Sequence, residues 1–255
     1  MTLMTIEHLH KSFGGLSAVL DFSAKLEEND LIGLIGPNGA GKTTVFNLIT
    51  GVYKPDEGAI NFEGHNITGL PPHEICSRGI ARTFQNIRLF NDLTVLDNVR
   101  IALHKDVQYP LLSAIMRVPS FFKGEAEIKE KANRYLQIFD LEDKRNEIAN
   151  SLPYGEQRRL EIARALATNP RLLILDEPAA GMNPQETADL MELIRSVREQ
   201  FDLTILLIEH DMSLVMGVCE RIYVLDYGQI IAEGSPEEIR NNKRVIEAYL
   251  GEEVS

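Results

Sequence analysis

Tryptophan is absent from this 255-residue chain, and cysteine occurs only twice. Cys76 and Cys219 lie far apart and fit no metal-ligand spacing, so they read as buried thiols of a reducing compartment and not as a disulfide framework or a zinc module. No apolar run approaches the roughly 18 residues that a membrane-spanning helix needs. The longest, residues 203–208 and 172–175, have the length of buried strands. Positive charge is in deficit: 26 Lys and Arg face 38 Asp and Glu, a formal net charge of −12, which disfavours nucleic acid as the main partner. Residues 1–7 carry neither a basic n-region nor a long apolar h-region, so no secretory signal is expected. The length suffices for one large α/β domain, or for a core with a subdomain, that buries a sizeable interior.

What the chain does have is a complete G-x-x-x-x-G-K-T loop: Gly36, Pro37, Asn38, Gly39, Ala40, Gly41, Lys42 and Thr43. An apolar run, Leu31–Ile35, precedes it and a helical apolar pattern over residues 45–49 follows, the context in which such a string is a phosphate site. Glycines at 36, 39 and 41 let successive N–H groups converge on a β-phosphate, and the helix starting near Lys42 adds its positive dipole end. Lys42 is expected to bridge the β- and γ-phosphates, Thr43 to ligate Mg²⁺ through its hydroxyl, and Thr44 to lie beside them in the first turn. The chain is therefore expected to bind a nucleoside triphosphate with Mg²⁺, and the loop alone fits a kinase, a GTPase, a recombinase-type ATPase or a transporter motor.

Around this loop the pattern alternates. Residues 5–10, 17–25 and 58–62 read as short strands separated by turn residues. From residue 93 to 141 the spacing turns helical, with Ile128, Ala132, Tyr135, Leu136 and Phe139 on one side of residues 123–139; residues 107–122 look like an insert. Beyond residue 152, βα alternation returns. Asn183 is placed as N-cap of a helix to Phe201, with Pro184 at N1 and Glu186 at N3; Ser235 and Glu238 form a capping box; and residues 221–225 and 229–232 pair as a hairpin about Tyr227 and Gly228.

The strand over residues 172–175 ends in Asp176 and Glu177. Asp176 at the tip is suited to hold Mg²⁺ through water, and Glu177 to polarise an attacking water. Some 20 residues upstream stand Leu152, Pro153, Tyr154, Gly155, Glu156 and Gln157 at the head of another helix. This hexapeptide resembles the L-S-G-G-Q signature of ATP-binding-cassette proteins. The resemblance implies an α/β P-loop NTPase with a RecA-like core, an N-terminal antiparallel β subdomain and a helical subdomain insertion. It implies one nucleotide-binding domain over residues 1–255, with the ATP-binding core in 1–92 and 152–255 and the helical subdomain at about 93–151. It also implies that the signature of one subunit faces the γ-phosphate held by another. Gln85 matches the glutamine that reaches Mg²⁺ and γ-phosphate and reports to a membrane subunit. Gly181, Met182 and Asn183 match the D-loop, His210 the switch histidine that orients Glu177, and Phe13 the aromatic against adenine, with Val19 behind it.

Three signature positions depart from the family pattern: Pro153 stands for serine, Tyr154 for glycine and Glu156 for glutamine. Either the composite site built from this signature is weakened by the lost hydroxyl, or backbone N–H groups from Gly155 onward carry the anion. Over its whole length the chain resembles the ATP-binding subunits of bacterial branched-chain amino-acid importers, and the 107–122 insert fits the larger of the two ATPases that such systems carry. That likeness rests on residues 87–90, 152–161, 176–184, 206–212 and 239–251. It implies a related second ATPase, two integral membrane permeases, an external solute-binding protein, and a peripheral place on the cytoplasmic face of the bacterial inner membrane. Within the insert, Leu111, Leu112, Ile115, Met116, Phe121 and Phe122 form either a permease-docking surface or a small internal core. Competing readings are a motor for another cargo (urea or amide, polar amino acids, or lipopolysaccharide extraction), a soluble cassette acting on ribosomes or DNA, and a non-hydrolysing nucleotide-gated module, against which Glu177 argues.

Overall fold

β1 (Thr2–Phe13) and β2 (Leu16–Glu27) form a long antiparallel hairpin, turning at Gly14 and Gly15. The computed structural model describes residues 1–106, 116, 119–210 and 212–253. The hairpin is longer than the alternating runs predict, because bulges interrupt its register near Ile6/Leu9 and Leu9/Lys11, and His8 and Asp21 both take positive φ. A bulge shifts the inside–outside alternation by one residue, which hides strand continuity from a period of two. β4 (Glu57–Phe62) pairs with β1, and the two-residue β5 (His65–Asn66) with β4, giving a four-stranded antiparallel sheet in the order β2-β1-β4-β5.

The second sheet has six strands in the order β10-β9-β3-β8-β7-β6. β3 (Leu31–Ile35), β6 (Ile80–Arg82), β7 (Leu172–Asp176), β8 (Thr204–Ile208) and β9 (Arg221–Asp226) run parallel; β10 (Gln229–Gly234) is antiparallel at one edge. Every residue of β3, β7 and β8 is buried, which is why these strands read as unbroken apolar runs. Val45, Phe46, Leu48 and Ile49 of α1 (Lys42–Ile49) share one core with Leu9, Phe22 and Leu26 of the antiparallel sheet and with Ile174 and Leu206 of the parallel one.

The chain divides into two compact units, Met1–Arg82 with Arg171–Ser255, and Thr83–Pro170. The first holds both sheets, α1 and the short α2 (Pro72–Ser77). The second holds α3 (Val95–Leu103), a helix Pro119–Ile138 and a helix Tyr154–Leu166. Its core includes Val95, Val99, Ile128, Ala132, Leu136, Phe139 and Leu160. Of the insert, Leu111, Leu112 and Ile115 lie outside the described residues; Met116 and Phe122 are exposed, and Phe121 meets Phe122 edge-on. Among the described residues no helix is long and apolar enough to cross a membrane.

Candidate nucleotide site and signature helix

β3 delivers the chain into the loop over residues 36–41, and two of its glycines have no alternative. A Cβ at Gly36 (φ 150°) would stand 2.0 Å from the Leu225 carbonyl oxygen, and one at Gly41 (φ 105°) 2.3 Å from that of Ala18. The loop is further tied by Ala40 N–H to the Pro37 carbonyl (3.2 Å) and Gly228 N–H to the Ala40 carbonyl (2.8 Å). Pro37 and Ala40 are buried, whereas Asn38 and Gly39 face solvent. The Lys42 ammonium, with the residue 8% exposed, donates to the carbonyls of Gly36 (2.5 Å) and Pro37 (2.8 Å), so the loop curls around its own lysine. α1 starts at Lys42 with Gly41 as N-cap and no side chain capping it. Its first-turn amides are therefore of the kind that accept an anion. Thr43 is exposed there and Thr44 half-buried.

Two strands over, β7 ends at Asp176, which is 4% exposed. Its carboxylate accepts from the Arg82 guanidinium at 2.6 Å, and Arg82 also donates to Asn47 (2.8 Å) and Thr50 (3.2 Å) of the α1 segment. The Thr43 hydroxyl and the Asp176 carboxylate are hard oxygen donors of the sort Mg²⁺ takes. Among the described residues no cluster of three His, Cys, Asp or Glu side chains could hold a metal. A cation here would complete its shell with phosphate and water, as Mg²⁺ ordinarily does.

Glu177 follows in a left-handed conformation (φ 46°), costly for a residue with a side chain and typical of sites where geometry is imposed. Its N–H is fixed by the Ile208 carbonyl at 2.9 Å. Its carboxylate, 16% exposed, stands 3.6 Å from His210 Nδ1, and the His210 side chain is 58% exposed. Glu209, 1% exposed, accepts from Ala179 N–H (2.9 Å) and His210 N–H (3.1 Å), so one buried carboxylate fixes the backbone on both sides of this pair. Gly181 (φ 79°) and Met182 form a turn closed by Met182 N–H to the Ala179 carbonyl, and Asn183 is the predicted N-cap of the helix Pro184–Phe201, forming a capping box with Glu186. Gly181 and Asn183 are exposed.

At the end of β1, Phe13 is 43% exposed, which excludes a core role, and Val19 is fully buried. Tyr53, a neighbour that no sequence signal announces, meets Phe13 edge-to-face with centroids 5.2 Å apart and braces its ring.

In the second unit, Gln85 and Asn86 are exposed in an irregular segment. The helix Tyr154–Leu166 begins with Pro153 as an N-cap lacking a side-chain bond, and the N–H groups of Glu156 and Gln157 both reach the Pro153 carbonyl (3.0 Å). Gln157 donates to the Leu152 carbonyl (2.8 Å), and Glu156 is gripped by Lys144 (2.6 Å). Leu152 is buried and Tyr154 exposed. Arg158 and Glu161, at 0% and 1% exposure, pair at 2.8 Å inside this unit; burial pushes the Glu161 carboxyl up from its ordinary value, against the lowering effect of backbone N–H donors and Arg158.

Comparison with known proteins places these observations. The family model described as "ABC transporter" matches residues 19–180, and "Branched-chain amino acid ATP-binding cassette transporter" matches residues 229–255. The high-affinity branched-chain amino acid transport ATP-binding protein LivG of Salmonella typhimurium is 49% identical over 98% of each chain. Among solved structures, the ADP conformation of MJ1267, an ATP-binding cassette of an ABC transporter, superposes with a TM-score of 0.85 at 34% identity, covering 98% of this chain and 99% of that one. The dimeric cassette MJ0796 gives 0.77 at 25% identity, covering 92% and 99%.

Proposed function

The chain belongs to the ABC transporter family, and on that premise we propose that it is the ATP-hydrolysing subunit that energises import of branched-chain amino acids. The observation that carries the hydrolytic part is the pairing of Glu177, in its strained conformation, with His210 at 3.6 Å. The near half-identity to LivG along the whole chain carries the cargo.

The mechanism follows from what the side chains can do. Amides of residues 38–44 and the Lys42 ammonium take the phosphates; Phe13, braced by Tyr53, takes the adenine ring. Thr43 and Asp176 would hold Mg²⁺, which when bound supplies charge neutralisation at the phosphates. Glu177 polarises the attacking water, and His210 orients Glu177 and meets the γ-phosphate. Leu152 to Gln157 present an uncapped helix start to the nucleotide of a second cassette; that the similar cassette MJ0796 is dimeric supports such pairing. Gly181, Met182 and Asn183 lie on the exposed D-loop turn, available to that same partner. Closure is driven by contacts made only in the sandwiched state, and loss of the γ-phosphate releases it. The partners are a homologous ATPase and two membrane permeases, with a solute-binding protein outside; the place of work is the cytoplasmic face of the bacterial inner membrane, and the Gln85 segment is what the permeases read.

Replacing Glu177 by Gln tests the reaction. ATP binding is expected to persist while turnover falls about 10²- to 10⁴-fold, the usual worth of a positioned base. Undiminished turnover would remove Glu177 from the chemistry. Deleting the subunit and following labelled leucine, isoleucine, valine and urea tests the cargo: loss of urea uptake alone reassigns it.

A further inference from the structure

The irregular segment from Phe84 to Phe90 has no ladder or helix to satisfy its backbone, so its polar groups need partners elsewhere. Those partners are side chains of the signature helix and α3. The fully buried Arg158 guanidinium donates to the Phe84 carbonyl (2.6 Å) and the Gln85 carbonyl (2.8 Å). Glu161, its ion-pair partner, accepts from Phe84 N–H (3.4 Å) and Arg88 N–H (3.0 Å). Arg164, one turn on, donates to the Arg88 carbonyl, and Asn98 of α3 takes both the N–H and the C=O of Phe90. The same Arg158 guanidinium also donates to the Tyr154 hydroxyl at 3.2 Å. Tyr154 is the residue that replaces a signature glycine, and the tyrosine gives Arg158 a partner that glycine could not.

We propose that Arg158 and Glu161 are positioning residues that fasten the Gln85 segment to the signature helix, so that a push on one is delivered to the other as a rigid displacement. Arg158 is the junction: one planar fork touches the signature residue Tyr154 and the backbone of Gln85 at once, a geometry that lysine cannot reproduce. The pair is buried, so water does not compete for these bonds. The inference rests on the reading that permeases engage the Gln85 segment and that the signature meets a partner's nucleotide. Tyr154 then accounts for its own departure from the family pattern as a part of the link.

Two measurements test it. In the wild-type chain, amide hydrogen exchange at Phe84 and Arg88 is expected to be slowed about 100-fold or more relative to an unstructured peptide, in step with the signature helix; exchange at the unstructured rate would overturn the fastening. In the assembled transporter reconstituted with its permeases and solute-binding protein, Arg158→Lys and Glu161→Gln are each compared with wild type for turnover with and without cargo. Each variant that melts within a few degrees of wild type is expected to lose most of the cargo stimulation, about 10-fold, with turnover of the isolated subunit within about 2-fold. An unchanged stimulation ratio in either folded variant overturns the proposal. Should both variants unfold, the exchange measurement decides alone. A wild-type assembly that shows no stimulation by cargo refutes the permease-coupled reading instead, independently of the exchange result.

Discussion

Asp176 keeps its place inside the fold because Arg82 faces it at 2.6 Å, with the two side chains only 6% and 8% exposed. Breaking a buried pair by removing one partner costs up to about 3–5 kcal/mol, since the remaining group loses a charge-assisted bond and stays out of water. Arg82→Met is therefore expected to lower the urea midpoint by a corresponding amount. Mg²⁺ with ATP should recover part of the loss, because a cation again faces the carboxylate. A midpoint unmoved by the substitution would show that the pair is not buried in solution. Residues of this kind were invisible in the sequence. Arg82 meets Asp176 across 94 positions, Glu209 meets Ala179 across 30, and Arg158 meets Phe84 across 74, so no local spacing announces them. By contrast Gly36, Gly41, Lys42, Asp176 and Glu177 were legible as positions, because a loop that must wrap an anion and a strand tip that ends in acids are both written in consecutive residues.

Elements whose ends carry local chemistry matched their reading closely. Ser235 with Glu238 forms the predicted capping box, and Asn183 is the predicted N-cap, with Glu186 completing a capping box there too. The helix Tyr154–Leu166 starts within the signature hexapeptide at a point that no capping side chain signals, because Pro153, with ψ 152°, supplies an extended N-cap by its backbone alone. That geometry makes Pro153→Ser informative at both ends of the argument. A serine in the same extended conformation can accept from the third helical amide, worth about 1 kcal/mol, offset in part by the lost proline rigidity of roughly 0.4–1 kcal/mol. The hydroxyl also becomes available to a partner's γ-phosphate. The expected outcome is near-neutral thermal stability and faster ATP turnover in the assembled complex. Unchanged turnover at wild-type stability would mean that the backbone amides beyond Gly155 already carry the anion.

Over the whole molecule the α/β cassette fold was legible, since buried parallel strands, helical stretches and Gly-rich turns alternate in order along the chain. How far the first unit behaves as one cooperative body, and whether nucleotide is linked to it, can be read from Cys219. This thiol is buried beside Gly33 of β3, where a Cβ would stand 3.1 Å from Sγ. Burial, with Glu220 and Glu209 adding negative charge, pushes it up to about 12. Only the thiolate reacts with an alkylating reagent, so at pH 8 roughly one native thiol in 10⁴ is competent, against a substantial fraction once the unit opens and the thiol returns to its ordinary value near 8.5. Labelling of Cys219 in the native protein should therefore proceed through opening, while the half-buried Cys76 reacts without it. Because ATP binds the folded unit, nucleotide at 100 times its Kd stabilises it by about 2.7 kcal/mol and slows Cys219 labelling about 100-fold. Mass spectrometry of each cysteine-containing peptide against time separates the two rates. Cys219 labelling as fast as Cys76 and indifferent to ATP would mean that the parallel sheet opens locally around β3, and that the phosphate loop at its end is not secured by the fold that presents it.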